Sequence, residues 1–290
     1  MSRETLAGVA TVTQLCSAFG ISRAAYYAAK KPRPAAKVVT LRKAPKHTAS
    51  EVALEAIREV IRAEPAWGVR KVWATLKRNG LKVSRKRVHA LMRAHGLVLA
   101  RDSEPGEPCR GHVVVPEPNR RFGGDLTTVW TKQEGWVAVV PTIDCGCRSV
   151  LALTVDKDQH GPAVMASIEQ ALTVAFGEPK SVPDGVELRT DHGPQYTGSD
   201  CAALVEKWNL LHTFAPVGRP TGNAVAERVI RTMKEEVVWL RDWESAAQLR
   251  EALLAWQVRY NTRRPHQALG WKTPAEYRAE KLGLAVEEAA

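Results

Sequence analysis

This sequence predicts an α/β chain with a mixed sheet flanked by helices, preceded by small all-α helix-turn-helix units, and three observations carry the prediction. Over roughly the first hundred residues the apolar side chains recur at helical spacing. From residue 124 onward, three apolar or β-branched runs follow one another across short polar turns, and strand-sized and helical segments then alternate. The charge divides along the same line: residues 1–101 hold 21 Lys and Arg against 5 Glu, and the other 189 residues hold 21 basic against 26 acidic groups. The net charge of +11 therefore originates in an N-terminal arm suited to phosphates, ahead of a mildly acidic body.

The elements follow in order. Residues 11–31 form a helical pair, with Val12, Leu15, Cys16 and Phe19 at helical spacing, Gly20 as a stop and Ser22 capping the second helix. Residues 30–46, rich in Pro, Ala and Lys, read as a linker. A second helical unit starts at Ser50, its stripe being Val52, Leu54, Ala56, Ile57, Val60 and Ile61, and Pro65 ends that helix. Residues 68–78 give the next helix, with Val69, Val72, Trp73 and Leu76 inward and Arg70, Lys71, Lys77 and Arg78 outward. Asn79-Gly80 closes it, and Ser84 caps a third helix whose core positions are Val88, Leu91 and Met92. That last helix carries Arg85, Lys86, Arg87, His89 and Arg93 and is the candidate recognition helix, although a solvated basic face would look the same. Residues 101–118 read as a linker. Strands are expected at 124–130, 135–143 and 149–155 as a meander, then a helix at 161–176, a strand at 186–190, a helix at 199–208, a strand at 210–214 and helices at 223–240 and 245–260.

Composition narrows the class. With 44% hydrophobic residues in 290, the chain supports a substantial core plus small modules. No apolar run approaches the roughly 20 residues of a membrane-spanning helix and no secretory signal begins the chain, so a soluble cytoplasmic protein is expected. Five scattered cysteines predict reduced thiols; Cys145-Gly146-Cys147 is short for a structural zinc site and has no second pair.

Three carboxylates stand out. Asp125 is expected inside the first strand, sharing a face with Thr127 and Val129, where a carboxylate is costly unless it is paired or binds a metal. Asp191 directly follows the fourth strand in Arg189-Thr190-Asp191-His192-Gly193-Pro194-Gln195-Tyr196, at a turn that presents a side chain into a crevice. Glu227 falls in the first turn of the helix after Gly222-Asn223, with Asn223 as its expected cap. On that helix Glu227, Arg231 and Lys234 share one face opposite Val225, Val229, Met233 and Val237. Three oxygen donors suit Mg²⁺, with Mn²⁺ as a substitute, and Arg231 and Lys234 would hold phosphates. Asp144, Asp156, Asp184 and Asp200 read as surface or turn residues, Asp144 being the main rival for a site position.

The run from Gly124-Asp125-Leu126-Thr127 through Asp191-His192-Gly193-Pro194-Gln195-Tyr196 to Gly222-Asn223-Ala224-Val225-Ala226-Glu227-Arg228 resembles the DDE integrase core of retroviral integrases and bacterial insertion-sequence transposases. Between Asp191 and Glu227 lie 35 residues, the spacing that gives the Asp-Asp-35-Glu signature its name. The stretch from Tyr260-Asn261-Thr262-Arg263-Arg264-Pro265-His266-Gln267-Ala268-Leu269-Gly270 to Tyr277 is similar to the closing motif of the IS3-family transposase B frame. So are the basic stretch from Gly68 to Leu97 and the opening Ser22-Arg23-Ala24-Ala25-Tyr26-Tyr27. The resemblance implies a ribonuclease-H-like catalytic core over residues 119–280 with a short tail at 281–290, behind a helix-turn-helix and linker at 1–46 and a DNA-binding domain at 47–100. It implies Asp125, Asp191 and Glu227 as catalytic residues and metal ligands, Mg²⁺ dependence, cleavage that frees a 3′ hydroxyl at an element end, and its transfer to a target strand. Double-stranded DNA is the expected partner, with a homo-multimer on it, an upstream-frame protein as a further partner, and the bacterial nucleoid as the place of work. Two alternatives stay open: an inactive DNA-binding relic or regulator, and a ribonuclease-H-type nuclease that cuts without joining.

Overall fold

The computed structural model describes residues 11–30, 46–100, 115–157, 161–215 and 223–286, in two compact units, Met1–His47 and Thr48–Ala290. In the first unit, α1 (Val12–Ala18) begins with a capping box in which the Thr11 hydroxyl and the Gln14 side chain each take the other's backbone N–H. Ser22 Oγ accepts from Ala25 N at 3.1 Å and caps α2 (Arg23–Lys30), so the expected helical pair is present.

The second unit opens within α3 (Lys46–Ala63) and continues with α4 (Val69–Arg78) and α5 (Arg85–Ala94), packed around Ile57, Trp67, Val72, Leu76, Val88 and Met92. Two details differ from the sequence reading. α3 starts four residues before Ser50, and Val52 is 59% exposed while Ala53 is buried. Ile57 sets the phase: residue 53 lies one turn before it on the same face, and residue 52 is rotated about 100° away.

The sheet comprises β1 (Arg121–Gly124), β2 (Thr127–Thr131), β3 (Gly135–Asp144), β4 (Val150–Asp156), β5 (Glu187–Thr190) and β6 (Leu211–Phe214). Its helices are α6 (Gly161–Phe176), the single turn α7 (Pro194–Thr197), α8 (Ser199–Lys207), α9 (Ala224–Glu236), α10 (Ala246–Thr262) and α11 (Pro274–Leu282). β1 and β2 both run antiparallel to β3 in a single register, β4 pairs with β3, and β5 and β6 continue parallel to β1. The mixed sheet flanked by helices is therefore as the sequence predicts. One face is covered by α9 and α10 over Val129, Val139, Val150 and Val155, the other by α6 and α8 over Phe122, Val140 and Leu188.

The first strand is broken where continuity was expected, between Gly124 and Thr127, so Asp125 lies in the gap rather than within a strand. Cys145 N donates to Arg121 O, which fixes the phase of the antiparallel ladder and sets Asp125 opposite Pro141 two steps later. Proline has no N–H to give, so the carbonyl of Asp125 loses its ladder partner there.

Asp144 is fully buried, not at the surface. It accepts from Asn119 N (2.8 Å), Gly146 N (2.8 Å), Cys147 N (3.4 Å) and Arg278 Nη1 (3.0 Å), and so ties α11 to the turn after β3. Burial pushes its carboxyl up, and those donors pull it back. Gly146 must be glycine, because a Cβ there would stand 2.0 Å from the carbonyl oxygen of Glu117. Cys145 and Cys147 are buried free thiols in the same turn, both pushed up to about 12 by burial and by Asp144, so they serve as packing. His112 and His160, the histidines that could have joined Cys145 and Cys147 around a zinc ion, lie outside the described residues. No helix among the described residues is long and apolar enough to cross a membrane.

Candidate active site

β1 and β5 are parallel, with Arg121 beside Glu187, Phe122 beside Leu188 and Gly123 beside Arg189. Carried two positions beyond its last pair, that register brings Asp125 and Asp191, each just past the end of its strand, to corresponding positions, and the charge of Asp191 acts on Asp125. Both carboxylates thus stand just past the C-terminal ends of adjacent parallel strands, where open α/β sheets form their crevices. Asp125 shares the α9 face of the sheet: Gly123, two residues before it, lies against Ala226 and Asn223, and Val129, four after it, packs in the α9 and α10 core.

Glu227 enters from the first turn of α9. Asn223 does not cap this helix with its side chain as expected. Instead it is buried, and its Nδ2 donates to the carbonyl of Gly124 at 3.2 Å, lashing the start of α9 to the end of β1. Gly123 permits this approach, since a Cβ there would meet Cys145 Sγ at 3.2 Å and Asn223 Oδ1 at 3.4 Å. The sequence signal was present in Gly123-Gly124 and Gly222-Asn223, but it gave no indication that the two segments touch.

The electrostatics follow. Asp125 is pushed up to about 6, first by burial and then by the charge of Asp191, with Glu227 adding to it and Lys234 opposing it. Glu227 is also raised, by burial. None of the three acids forms an ion pair among the described residues. Asp125 Oδ1 takes the N–H of Leu126 and Asp191 Oδ1 that of Gly193, both at 2.9 Å. Among the described residues no three acidic, imidazole or thiolate groups stand close enough to hold an ion unaided. Beneath the carboxylates the hydroxyl of Tyr196 is buried without a hydrogen-bond partner, and the negative charges of Asp125 and Asp191 join burial in raising it. Carboxylates without an ion pair among the described residues, only partly offset by Lys234, fit a hydrated divalent cation, which takes few protein ligands and keeps its waters.

The chain is similar to known proteins. An HTH-like domain matches residues 49–102, and two integrase core domain families match residues 115–220 and 210–274. The chain is 30% identical over 227 residues to the transposase for insertion sequence element IS629 of Shigella sonnei, covering 74% of each. It belongs to the insertion-sequence transposases. The transposase InsD for insertion element IS2 of Escherichia coli is 27% identical over 242 residues, 80% of each chain. Among solved structures, a simian T-cell lymphotropic virus intasome in complex with PP2A regulatory subunit B56 gamma overlaps 77% of this chain and 74% of that one (TM-score 0.48, 17% identity). The catalytic core domain of BIV integrase overlaps 57% and 97% (TM-score 0.43, 21% identity).

The transposase is of the IS3 type, and its chemistry is that of a polynucleotidyl transferase with an integrase core. The cations singled out in its sequence divide into three groups. Arg85, Lys86, Arg87, His89 and Arg93 are all exposed on α5, and Arg87 reaches the hydroxyl of Ser50. Arg70 is exposed on α4 and donates to Gln267 at 3.3 Å. Lys71, expected to point outward, instead turns inward: its Nζ lies 3.3 Å from Glu236, and burial with the charge of Arg264 lowers it to about 8. Arg231 is exposed and pairs with Glu235 at 2.8 Å, whereas Lys234 is the cation that acts on Asp125. Lys234 also lines an open cleft of about 710 Å³ with Trp130, Trp136 and Trp239.

Proposed function

We propose that Asp125, Asp191 and Glu227 are the catalytic residues of this transposase, which frees a 3′ hydroxyl at the end of its element and joins it to a target strand. The observation that carries the reading is the parallel register of β1 and β5, which sets two unpaired carboxylates side by side below the helix bearing the third. The three acids would hold Mg²⁺, or Mn²⁺ in its place. Bound there, such an ion would supply Lewis-acid polarisation of the phosphoryl group and activation of the attacking oxygen. Asn223 fixes Glu227 relative to Asp125. Lys234 offsets the acidic charge and meets the scissile phosphate, with Arg231 further along the same strand.

Duplex DNA is the substrate. Residues 47–100 form its docking domain and 119–280 the catalytic core, with Arg85, Lys86, Arg87, His89 and Arg93 facing the phosphates and base edges and Arg70 beside them. Lys71 joins them only through its neighbours, since its ammonium is committed to Glu236. Two element ends must meet, so the enzyme works as a homo-multimer on DNA, alongside a protein from the upstream frame, at the nucleoid in the bacterial cytoplasm.

The test is to express the gene with its native flanks and upstream frame, and to seek excised or circularised element by outward-facing PCR in wild type and Glu227→Gln. Junctions from wild type alone are expected. Junctions from both would remove Glu227 from the chemistry, and none from either would leave a DNA-binding protein that does not recombine.

A further inference from the structure

A second basic feature lies away from the carboxylates, in a cleft of about 330 Å³ where α4, α9 and the Arg264-Pro265-His266-Gln267 segment meet. Arg70 and Lys71 come to it from α4, Arg228 from α9, Arg148 from the turn before β4, and Arg264 with His266 from the chain after α10. No carboxylate lines it among the described residues. Glu236 lies behind, and its oxygens are taken: Oε1 by Lys71 (3.3 Å) and Arg264 Nε (2.9 Å), Oε2 by Trp256 Nε1 (3.0 Å). It offsets one of those two cations. Arg148 and Arg228 form no ion pair among the described residues, so the cleft gathers more positive charge than Glu236, with Glu64 acting on Arg264 from behind, offsets.

Crowding of this kind is unfavourable unless an anion completes the cluster. The mutual repulsion is registered by two groups. Lys71 is lowered to about 8, first by burial and then by Arg264, with Glu236 opposing and Arg228 adding a smaller part, and His266 is held well below its ordinary value by burial and by Arg264, Lys71 and Arg148. His266 is therefore neutral at pH 7, its Nε2 facing Arg264 Nη1 at 3.4 Å. The planar guanidinium groups of Arg148 and Arg228 offer the forked donors that match phosphate oxygens.

We propose that this cleft binds a backbone phosphate of DNA and so sets the path of the strand from the helix-turn-helix domain to the carboxylates. The inference rests on the reading of the chain as an enzyme of duplex DNA. It deepens that reading through Arg228, which follows Glu227 on α9 and projects about 100° round the helix from it. A phosphate gripped by Arg228 and Arg148 lies one helix face away from the proposed chemistry, and α4 holds the other side of the cleft.

The experiment is a salt titration of binding to a short random-sequence duplex, read by fluorescence anisotropy, for wild type, Arg228→Gln, Arg148→Asn, the double variant and Arg228→Lys. Asn suits position 148 because its backbone is left-handed, with φ 65°. Each neutral variant is expected to bind roughly tenfold more weakly at moderate salt and to reduce the slope of log affinity against log salt by about 0.9, with Arg228→Lys keeping the wild-type slope. A double variant that melts like wild type and retains its slope and affinity overturns the proposal. Should the double variant fail to fold, exposed Arg228→Gln decides alone. A parallel melt with inorganic phosphate separates the sources: protection of wild type but not of the double variant, with the DNA slope unchanged, assigns the cleft to a free anion and overturns the DNA assignment. Asp191→Asn distinguishes the two readings, since it should abolish joining while keeping the full salt slope. Wild type that binds no duplex at low salt would overturn both.

Discussion

Asp125 is a single carboxylate that serves the proposed chemistry and costs the metal-free protein stability. Its folded value of about 6 lies above the roughly 3.9 of an unfolded aspartate. Between those values the folded chain binds more protons than the unfolded one, so its stability falls as pH rises from about 4 to about 6 and the full penalty is present at neutral pH. Allowing for solvent screening, that penalty is about 1–2 kcal/mol. In EDTA, Asp125→Asn should therefore melt higher than wild type at pH 7.5 and no higher near pH 4. Added Mg²⁺ should raise the melting point of wild type and not of the variant. Equal melting of the two proteins in EDTA at pH 7.5 would remove the electrostatic strain from the account. Asp144 shows the opposite use of an acid. Removing its partner by Arg278→Ala leaves a buried charge exposed to no cation and should cost about 3–5 kcal/mol in urea unfolding, part of which Asp144→Asn recovers in the double variant.

At the scale of elements, the site depends on two backbone events. Pro141 interrupts the ladder opposite Asp125 and frees that residue from the strand, and Asn223 binds α9 to the strand end that precedes the gap. Asn223→Ala removes one buried hydrogen bond, worth about 0.5–1.5 kcal/mol, and frees the first turn of α9 to shift. The expected outcome is a marked fall in the strand-transfer rate at saturating DNA with duplex affinity unchanged, because Asn223 touches neither DNA nor metal in this scheme. A variant that loses stability but transfers strands at the wild-type rate would make Asn223 a packing residue only. The sequence announced α9, its acid and its apolar stripe through helical spacing. It was silent about the tether, since a side chain's partner 99 positions away leaves no local periodicity.

For the whole molecule, the helices α4 and α5, proposed to dock DNA, and the sheet belong to one unit. Arg78 Nη1 donates to Glu276 at 2.7 Å and to the carbonyl of Trp271 at 3.2 Å, Trp73 meets Trp271 edge to face at 5.7 Å, and Arg259 lies 3.5 Å from Glu64. α4 is thereby held against α11 and the turn before it. Arg78→Ala should speed amide hydrogen exchange in α3–α5 while leaving the β3 and β4 amides as slow as in wild type. Uniform acceleration across both would mean that the contact supports global stability rather than docking.

The sequence by itself determined the class of fold and the order of most of its elements, and it singled out the three acids proposed for the site, because helical and strand spacing, caps and the 35-residue interval are properties of neighbours along the chain. It also separated a basic arm from an acidic body. Tertiary structure alone decided the pairing of Asp125 with Asp191, the burial of Asp144, the inward turn of Lys71 and the gathering of Arg148, Arg228 and Arg264 into one cleft. Each of these is a contact between segments far apart in the chain. Whether a charged side chain there faces solvent, a partner or a ligand is set by which strand or helix the fold lays against it, and that information is not carried by the local pattern.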